Sequence, residues 1–193
     1  MNKDFINLVE KYYNDIGTKA INIVDYGGGD LSHYKAIKKA FPHLEFNYTI
    51  VEKMIREGYH RYIYEVIDSG IKDIDIFHSN SSLQYSRDID RDLKDIIRLN
   101  PRFIIILTVA ITTKETYVVE QKNLSGISWY GGKTIPYLFF NTNYIKDRLV
   151  GYRQLYHNQN SFINIERAKL AFPDVPEDEF ISANMLFERE VCV

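Results

Sequence analysis

Apolar positions along the chain fall into two alternating rhythms. Phe5, Leu8, Val9, Tyr12, Tyr13 and Ile16 sit at helical spacing between charged residues, which predicts an amphipathic packing helix over about 3–16 rather than a signal peptide. The run Ile21-Asn22-Ile23-Val24-Asp25 then reads as a buried strand over 21–26, followed by a helix over 32–41. The rhythm continues with a strand over 46–51, a short helix over 53–59, a short strand over 62–66 and a strand over 73–79. A helix over 88–99, closed by Pro101, leads to a strand over 102–108. Five strand-and-helix steps in succession predict a parallel sheet in an α/β domain.

Past this point the pattern changes. A polar, glycine-containing stretch runs from Thr112 to Lys133, followed by a helix over about 142–150 and two strand candidates, 152–157 and 183–190. The segment between those strands carries Pro173, Pro176 and several acids, and reads as a solvated connection or lid. No internal repeat or low-complexity tract appears.

Composition narrows this picture. A chain of 193 residues with 45% hydrophobic content suits one domain over 1–193, with 1–18 as its N-terminal helix. Lys and Arg are scattered and the formal net charge is −2, so nucleic acid is not an expected partner. The apolar core run Phe103 to Leu107 is far shorter than the roughly 20 residues of a membrane-spanning helix. The single cysteine, Cys192, rules out an internal disulfide framework and fits a reducing compartment, with the cytoplasm as the expected location. Asn80-Ser81-Ser82 matches a glycosylation pattern that means nothing without secretion.

The chemistry begins at Tyr26-Gly27-Gly28-Gly29-Asp30, directly after the first strand. Glycines accept positive φ and let a ligand approach the main chain, and a strand, glycine turn and helix form the cofactor-binding half of an open α/β sheet. A nicotinamide site would prefer Gly-x-Gly-x-x-Gly, but here the third position is Ser32. S-adenosylmethionine has no phosphate to cradle and asks only for close backbone approach with acids near its ammonium and ribose. Asp25 and Asp30 flank the glycines. Glu52 ends the next strand, where a carboxylate can accept both ribose hydroxyls, and Lys53 and Met54 follow in position to cover an adenine face.

Three segments in order, Val24 to Asp30, Tyr48 to Glu52 and Asp75 to Tyr85, resemble successive motifs of class I S-adenosylmethionine-dependent methyltransferases. Gln121 and the segment Tyr130 to Asn141 are similar to a subgroup of small sugar O-methyltransferases from bacterial surface-polysaccharide gene clusters. The resemblance covers about residues 20–158. It implies a three-layer α/β/α Rossmann-like fold whose seven-stranded sheet is mostly parallel, with strand seven antiparallel between strands five and six. It also implies that Ser79 and Asn80 lie beside the methionine part of the cofactor, with Gln84 and Tyr85 facing the methyl group. His78 and Asn80 depart from the broader pattern, which has apolar or small residues there.

A hydroxyl acceptor must lose its proton, for which a histidine or a carboxylate is the usual base. Of the five histidines, His157 and then His78 are the candidates, with His33, His43 and His60 read as surface or structural. No His, Cys, Asp or Glu set shows metal-ligand spacing, so no metal is expected. Substrate contacts are expected from Gln121, Tyr130, Lys133, Tyr137 and Asn141 in a substrate-facing segment over 109–141, because loops at the carboxyl edge of a sheet carry function. Two alternatives stay open: a NAD(P)-dependent reductase, although no Tyr-x-x-x-Lys pair stands out, and a non-catalytic nucleoside-binding protein on the same fold.

Overall fold

The computed structural model describes residues 3–16, 20–29, 31–52, 60–122, 134–162 and 164–190. Four parallel strands build the centre: β1 (Ala20–Tyr26), β2 (Glu45–Val51), β3 (Ile76–Asn80) and β4 (Phe103–Thr112). Two long strands extend it, β7 (Tyr152–Ser161) and β8 (Ile181–Arg189), in the order β2-β1-β3-β4-β8-β7. β8 is antiparallel to both β4 and β7, which is the reversed strand that the resemblance implied. A hairpin of β5 (Tyr117–Lys122) and β6 (Thr134–Asn141) joins the far end of β4 through Ile111↔Phe140 and Thr112↔Asn141, which makes eight strands rather than seven.

Helices cover both faces of the sheet. On one side α1 (Lys3–Ile16) and α2 (Ser32–Ala40) pack Phe5, Val9 and Ile37 on Ile21, Ile23, Ile76 and Ile105. On the other, α3 (Ile63–Asp68), α4 (Ile89–Leu99) and α5 (Tyr144–Arg148) bury Ile63, Val66, Leu93, Ile96 and Ile145 against Val24, Phe77, Ile104 and Phe187. The Asp88 side chain caps α4 by accepting from the Arg91 N–H at 3.1 Å, and Asn100, at φ 53°, ends it before Pro101.

Three expectations need correction. The strand read over 62–66 is α3, because Ile63 and Val66 form an i, i+3 apolar pair and the Glu65 carboxylate folds back to accept from the Arg61 and Tyr62 N–H groups at 2.5 and 3.3 Å. The polar stretch after Thr112 contains β5, an edge strand whose half-exposed alternation concealed it. The connection over 162–180 is not simply solvated. It forms α6 (Ile165–Ala171) and inserts Ala168, Ala171, Phe172, Val175 and Phe180 into a third core with Tyr137 and Phe139 of β6. Buried Glu179 fastens it to the hairpin, accepting from the Tyr117 hydroxyl at 2.7 Å and pairing with Lys114. Those two partners hold the Glu179 carboxyl below its usual range. The short helix expected over 53–59 lies outside the described residues.

Candidate functional site

The strand period of two sends consecutive residues of β1 to opposite faces of the sheet. At its carboxyl end Asp25 enters the α1/α2 side, and Tyr26 enters the side covered by α3 and α4. Between these two directions the chain turns through Gly27 at φ +80°, whose N–H donates to the Val51 carbonyl at 2.7 Å.

Something does approach this backbone closely, and at two positions it is the protein itself. A Cβ on Gly27 would stand 2.0 Å from Ser82 Oγ, and one on Gly28 would stand 2.6 Å from Asp25 Oδ2. Gly29 differs: among the described residues a Cβ there would meet nothing nearer than Glu52 Oε2 at 3.7 Å, and its N–H donates to that same oxygen at 3.2 Å. The Glu52 carboxylate, at the end of β2, thus stands against the glycine turn at the carboxyl edge of the sheet. That is the position from which an acid can accept ribose hydroxyls.

On the α3/α4 side, a cleft of about 570 Å³ opens between the first turns of α3 and α4 and the start of β6. Tyr26, Tyr62, Tyr64, Tyr85, Arg91 and Asp92 are among its walls. The Tyr26 and Ser86 hydroxyls both donate to Asp92 Oδ2, at 2.7 and 2.6 Å. Burial, and then the Asp92 carboxylate, push the Tyr26 phenol far up, so that it remains a hydrogen-bond donor at neutral pH. The Tyr62 and Tyr64 rings stack at 5.2 Å, and the Arg91 guanidinium lies 4.8 Å from the Tyr64 ring centre.

On the α1/α2 side the polar groups are enclosed. Asp25, 1% exposed, accepts from the Tyr48 hydroxyl at 2.6 Å and from His78 Nδ1–H at 2.8 Å, with His33 Nδ1 at 3.8 Å. Burial alone would raise the Asp25 carboxyl, but its contacts with His33, His78 and Tyr48 outweigh this and hold it well below the carboxylate range. His78 is fully buried, with its ring stacked on Phe5 at 4.2 Å and its face 4.7 Å from His33 at a steep angle. Asn80 reaches the same cluster, its amide 3.1 Å from His33 Nε2.

The sequence-derived candidates therefore separate. Gly29, Glu52 and Tyr26 converge at the carboxyl edge, and Ser79, the register partner of Tyr26, is buried beside it with no hydrogen-bond partner for Oγ among the described residues. Asp25, His78 and Asn80 belong to the enclosed cluster, on the opposite face of the sheet from the cleft. His157 stands exposed on β7, level with Ser79 through the pairs His157↔Met185, Ile106↔Met185 and Ser79↔Ile106. That register leaves it three strand spacings away, roughly 14 Å. Tyr85 and Tyr137 do meet, the Tyr85 ring packing edge-on to the Tyr137 ring at 5.1 Å, and Gln84 is buried in the same turn as Tyr85. Gln121 lies in the β5–β6 ladder opposite Ile135. Asn141 spends its side chain on the turn into α5, donating to the Lys114 carbonyl and accepting from the Asn143 N–H. Asp30, Lys53, Met54, Tyr130 and Lys133 lie outside the described residues.

Sequence reading missed Tyr62, Tyr64, Arg91 and Asp92 as cleft residues, and His33 as a member of the buried cluster. The aromatic density of Tyr59-His60-Arg61-Tyr62-Ile63-Tyr64 was a usable signal for the first pair. The strand-like composition of 62–66 obscures it.

Compared with family models and with curated proteins, the chain matches none. Solved structures do resemble it. The N-terminal domain of EvdMO1 with SAH bound superposes with a TM-score of 0.59 at 10% identity, covering 99% of this chain and 83% of that one. The same domain in the presence of SAH and D-fucose gives 0.59 at 11%, covering 98% and 84%. Coclaurine N-methyltransferase bound to N-methylheliamine and SAH gives 0.52 at 9%, covering 95% and 70%. At such identities the likeness establishes the fold, the Rossmann-like α/β/α architecture of S-adenosylmethionine-dependent methyltransferases.

Proposed function

We propose that this chain is an S-adenosylmethionine-dependent methyltransferase that methylates a hydroxyl of a sugar or glycan precursor of a bacterial surface polysaccharide. The observation that carries the reading is the pairing of Glu52 with the Gly29 N–H at the carboxyl edge of the sheet, where no described atom stands nearer than 3.7 Å to the position of a Gly29 Cβ. Bound S-adenosylmethionine would supply an electrophilic methyl group on a sulfonium. The chain's part is to hold: Glu52 accepts the paired ribose hydroxyls, and Gly29 lets the ligand lie against the backbone. The buried Ser79 hydroxyl and the Gln84 carbonyl oxygen, both without partners among the described residues, stand on the loop side of β3 as contacts for polar groups of donor or acceptor.

Sugar as the acceptor class is supported by the cleft. Tyr26, Tyr62, Tyr64 and Tyr85 line the opening with aromatic edges and hydroxyls that suit a sugar, and Arg61, Arg87 and Arg91 at the same opening suit an anionic group such as a nucleotide diphosphate. The EvdMO1 domain, crystallised in the presence of SAH and D-fucose, is a protein of this fold studied with a sugar. Orientation of a hydroxyl opposite the methyl group in a site shielded from water can supply much of the rate.

Calorimetric titration of the full chain with S-adenosylmethionine and, separately, with NADH tests the cofactor. Binding of the first and not the second is expected, and binding of NADH alone would replace this reading with a reductase. Incubation with methyl-labelled S-adenosylmethionine and a panel of nucleotide sugars, followed by mass spectrometry, then tests the acceptor. Labelled sugar is expected, and label found only on a non-sugar acceptor would overturn the substrate class.

A further inference from the structure

The enclosed cluster on the α1/α2 side has the composition of a metal centre. Asp25 from β1, His78 from β3 and His33 from α2 each bring one ligand atom, a carboxylate oxygen or a ring nitrogen, and these atoms all lie within 4.8 Å of one another. The two rings approach the two oxygens of one carboxylate, His78 Nδ1 lying 2.8 Å from Asp25 Oδ1 and His33 Nδ1 3.8 Å from Oδ2, distances near the spacing of about 3.3 Å between ligands of a tetrahedral ion with bonds near 2.0–2.1 Å.

A second observation points the same way. His33 Nδ1, the ring nitrogen that faces Asp25, is buried without a hydrogen-bond partner among the described residues, a costly arrangement beside the Phe5 ring. The groups around the cluster are those that orient ligands from behind. The Tyr48 hydroxyl holds Asp25 Oδ2, and the Asn80 amide sits 3.1 Å from His33 Nε2. The Asn80 amide nitrogen faces that ring; with the amide turned over so that its oxygen faces it instead, His33 donates Nε2–H and presents a lone pair at Nδ1. His78 presents one at Nδ1 when its proton moves to Nε2, the ion then replacing the hydrogen bond that Nδ1–H makes to Asp25.

We infer that Asp25, His33 and His78 form a binding site for one divalent first-row transition ion of the zinc class. Two imidazoles and one carboxylate are borderline donors that suit such ions rather than Mg²⁺ or Ca²⁺. The ion would tie the end of β1 to β3 and to the first turn of α2, directly beneath Gly28, whose Cα faces Asp25 Oδ2. Its role is to brace the glycine turn, from the face of the sheet opposite the cleft. The inference does not rest on the methyltransferase reading, and metal retention is read separately from cofactor binding.

The test strips the full-length protein with chelator, loads it with Zn²⁺, removes unbound metal by desalting and counts zinc by mass spectrometry. Co²⁺ loading gives a second readout through its visible absorption bands. About one Zn²⁺ per chain is expected for the wild type and for His157→Ala, with at least a tenfold loss in His33→Ala. Because His33 lies at the rim of the cluster, its variant is expected to fold, which the circular dichroism spectrum checks. Added Zn²⁺ is expected to raise the Tm of the wild type and not of His33→Ala. Retention below a tenth of an equivalent by the wild type, or equal retention by folded His33→Ala, would overturn the site.

Discussion

Asp25 and Tyr26 are neighbours in β1 and share the same chemistry with opposite consequences. Each pairs a carboxylate with a tyrosine hydroxyl, Asp25 with Tyr48 at 2.6 Å and Tyr26 with Asp92 at 2.7 Å. On the α1/α2 side the pair is closed over by Phe5, His33 and His78, so both Asp25 oxygens and the Tyr48 hydroxyl answer to another part of the protein. On the α3/α4 side the same kind of pair forms one wall of an open cleft, where Asp92 is only half-buried and Tyr62 stands exposed at the rim. The same kind of hydrogen bond is thus enclosed on one face and open to a cleft on the other, and the difference is made by what covers it.

The largest effect should come from emptying the closed side. Asp25→Ala leaves the Tyr48 hydroxyl and His78 Nδ1 buried and unpaired, which should cost about 3 kcal/mol or more. In a domain of this size that corresponds to a fall in Tm of roughly 6–12 °C, measurable by calorimetry. A fall below about 2 °C would mean that the cluster is not closed as described.

Gly27→Ala addresses the boundary between the two faces. Its φ of +80° disfavours any Cβ, and Ser82 Oγ already occupies the space. A loss of about 2–4 kcal/mol is expected. Combining it with Ser82→Gly separates the two reasons for glycine: about half of the lost stability should return if Ser82 is the obstacle. No return in Tm would show that backbone conformation alone demands glycine there.

What was legible beforehand divides along the same line. Local patterns revealed β1, β2, α2 and α4, because each is a continuous run with its own period and stop signal, and Glu52 could be placed because it ends such a run. The late strands β7 and β8 were visible too, but their full length was not, since β7 is an exposed edge with little apolar alternation. The α6 segment looked polar because its buried residues, Ala168, Ala171 and Phe172, are spaced for a short helix among acids and prolines. The cluster of Asp25, His33 and His78 left no mark in linear spacing, since three separate elements carry its members. His78 looked like a base by residue type, and only the register of β3 shows which face it serves.

The two smallest effects on stability fall on the open side. Tyr26→Phe deletes one hydrogen bond to Asp92, which keeps the Ser86 hydroxyl as a donor, so a loss of about 1–2 kcal/mol is expected from thermal or urea unfolding. A loss as large as that of Asp25→Ala would erase the contrast between the faces. Glu52→Gln should barely register in unfolding, within about 0.5 kcal/mol, because an amide oxygen can still accept from the Gly29 N–H. Its effect belongs to binding. A neutral amide is a weaker partner than a carboxylate for two hydroxyls, and the loss of about 1.4 kcal/mol corresponds to tenfold weaker S-adenosylmethionine binding by calorimetry. Unchanged affinity would remove Glu52 from the nucleoside site, and an equally weakened affinity in Asp25→Asn would mean that the closed face also reads the ligand.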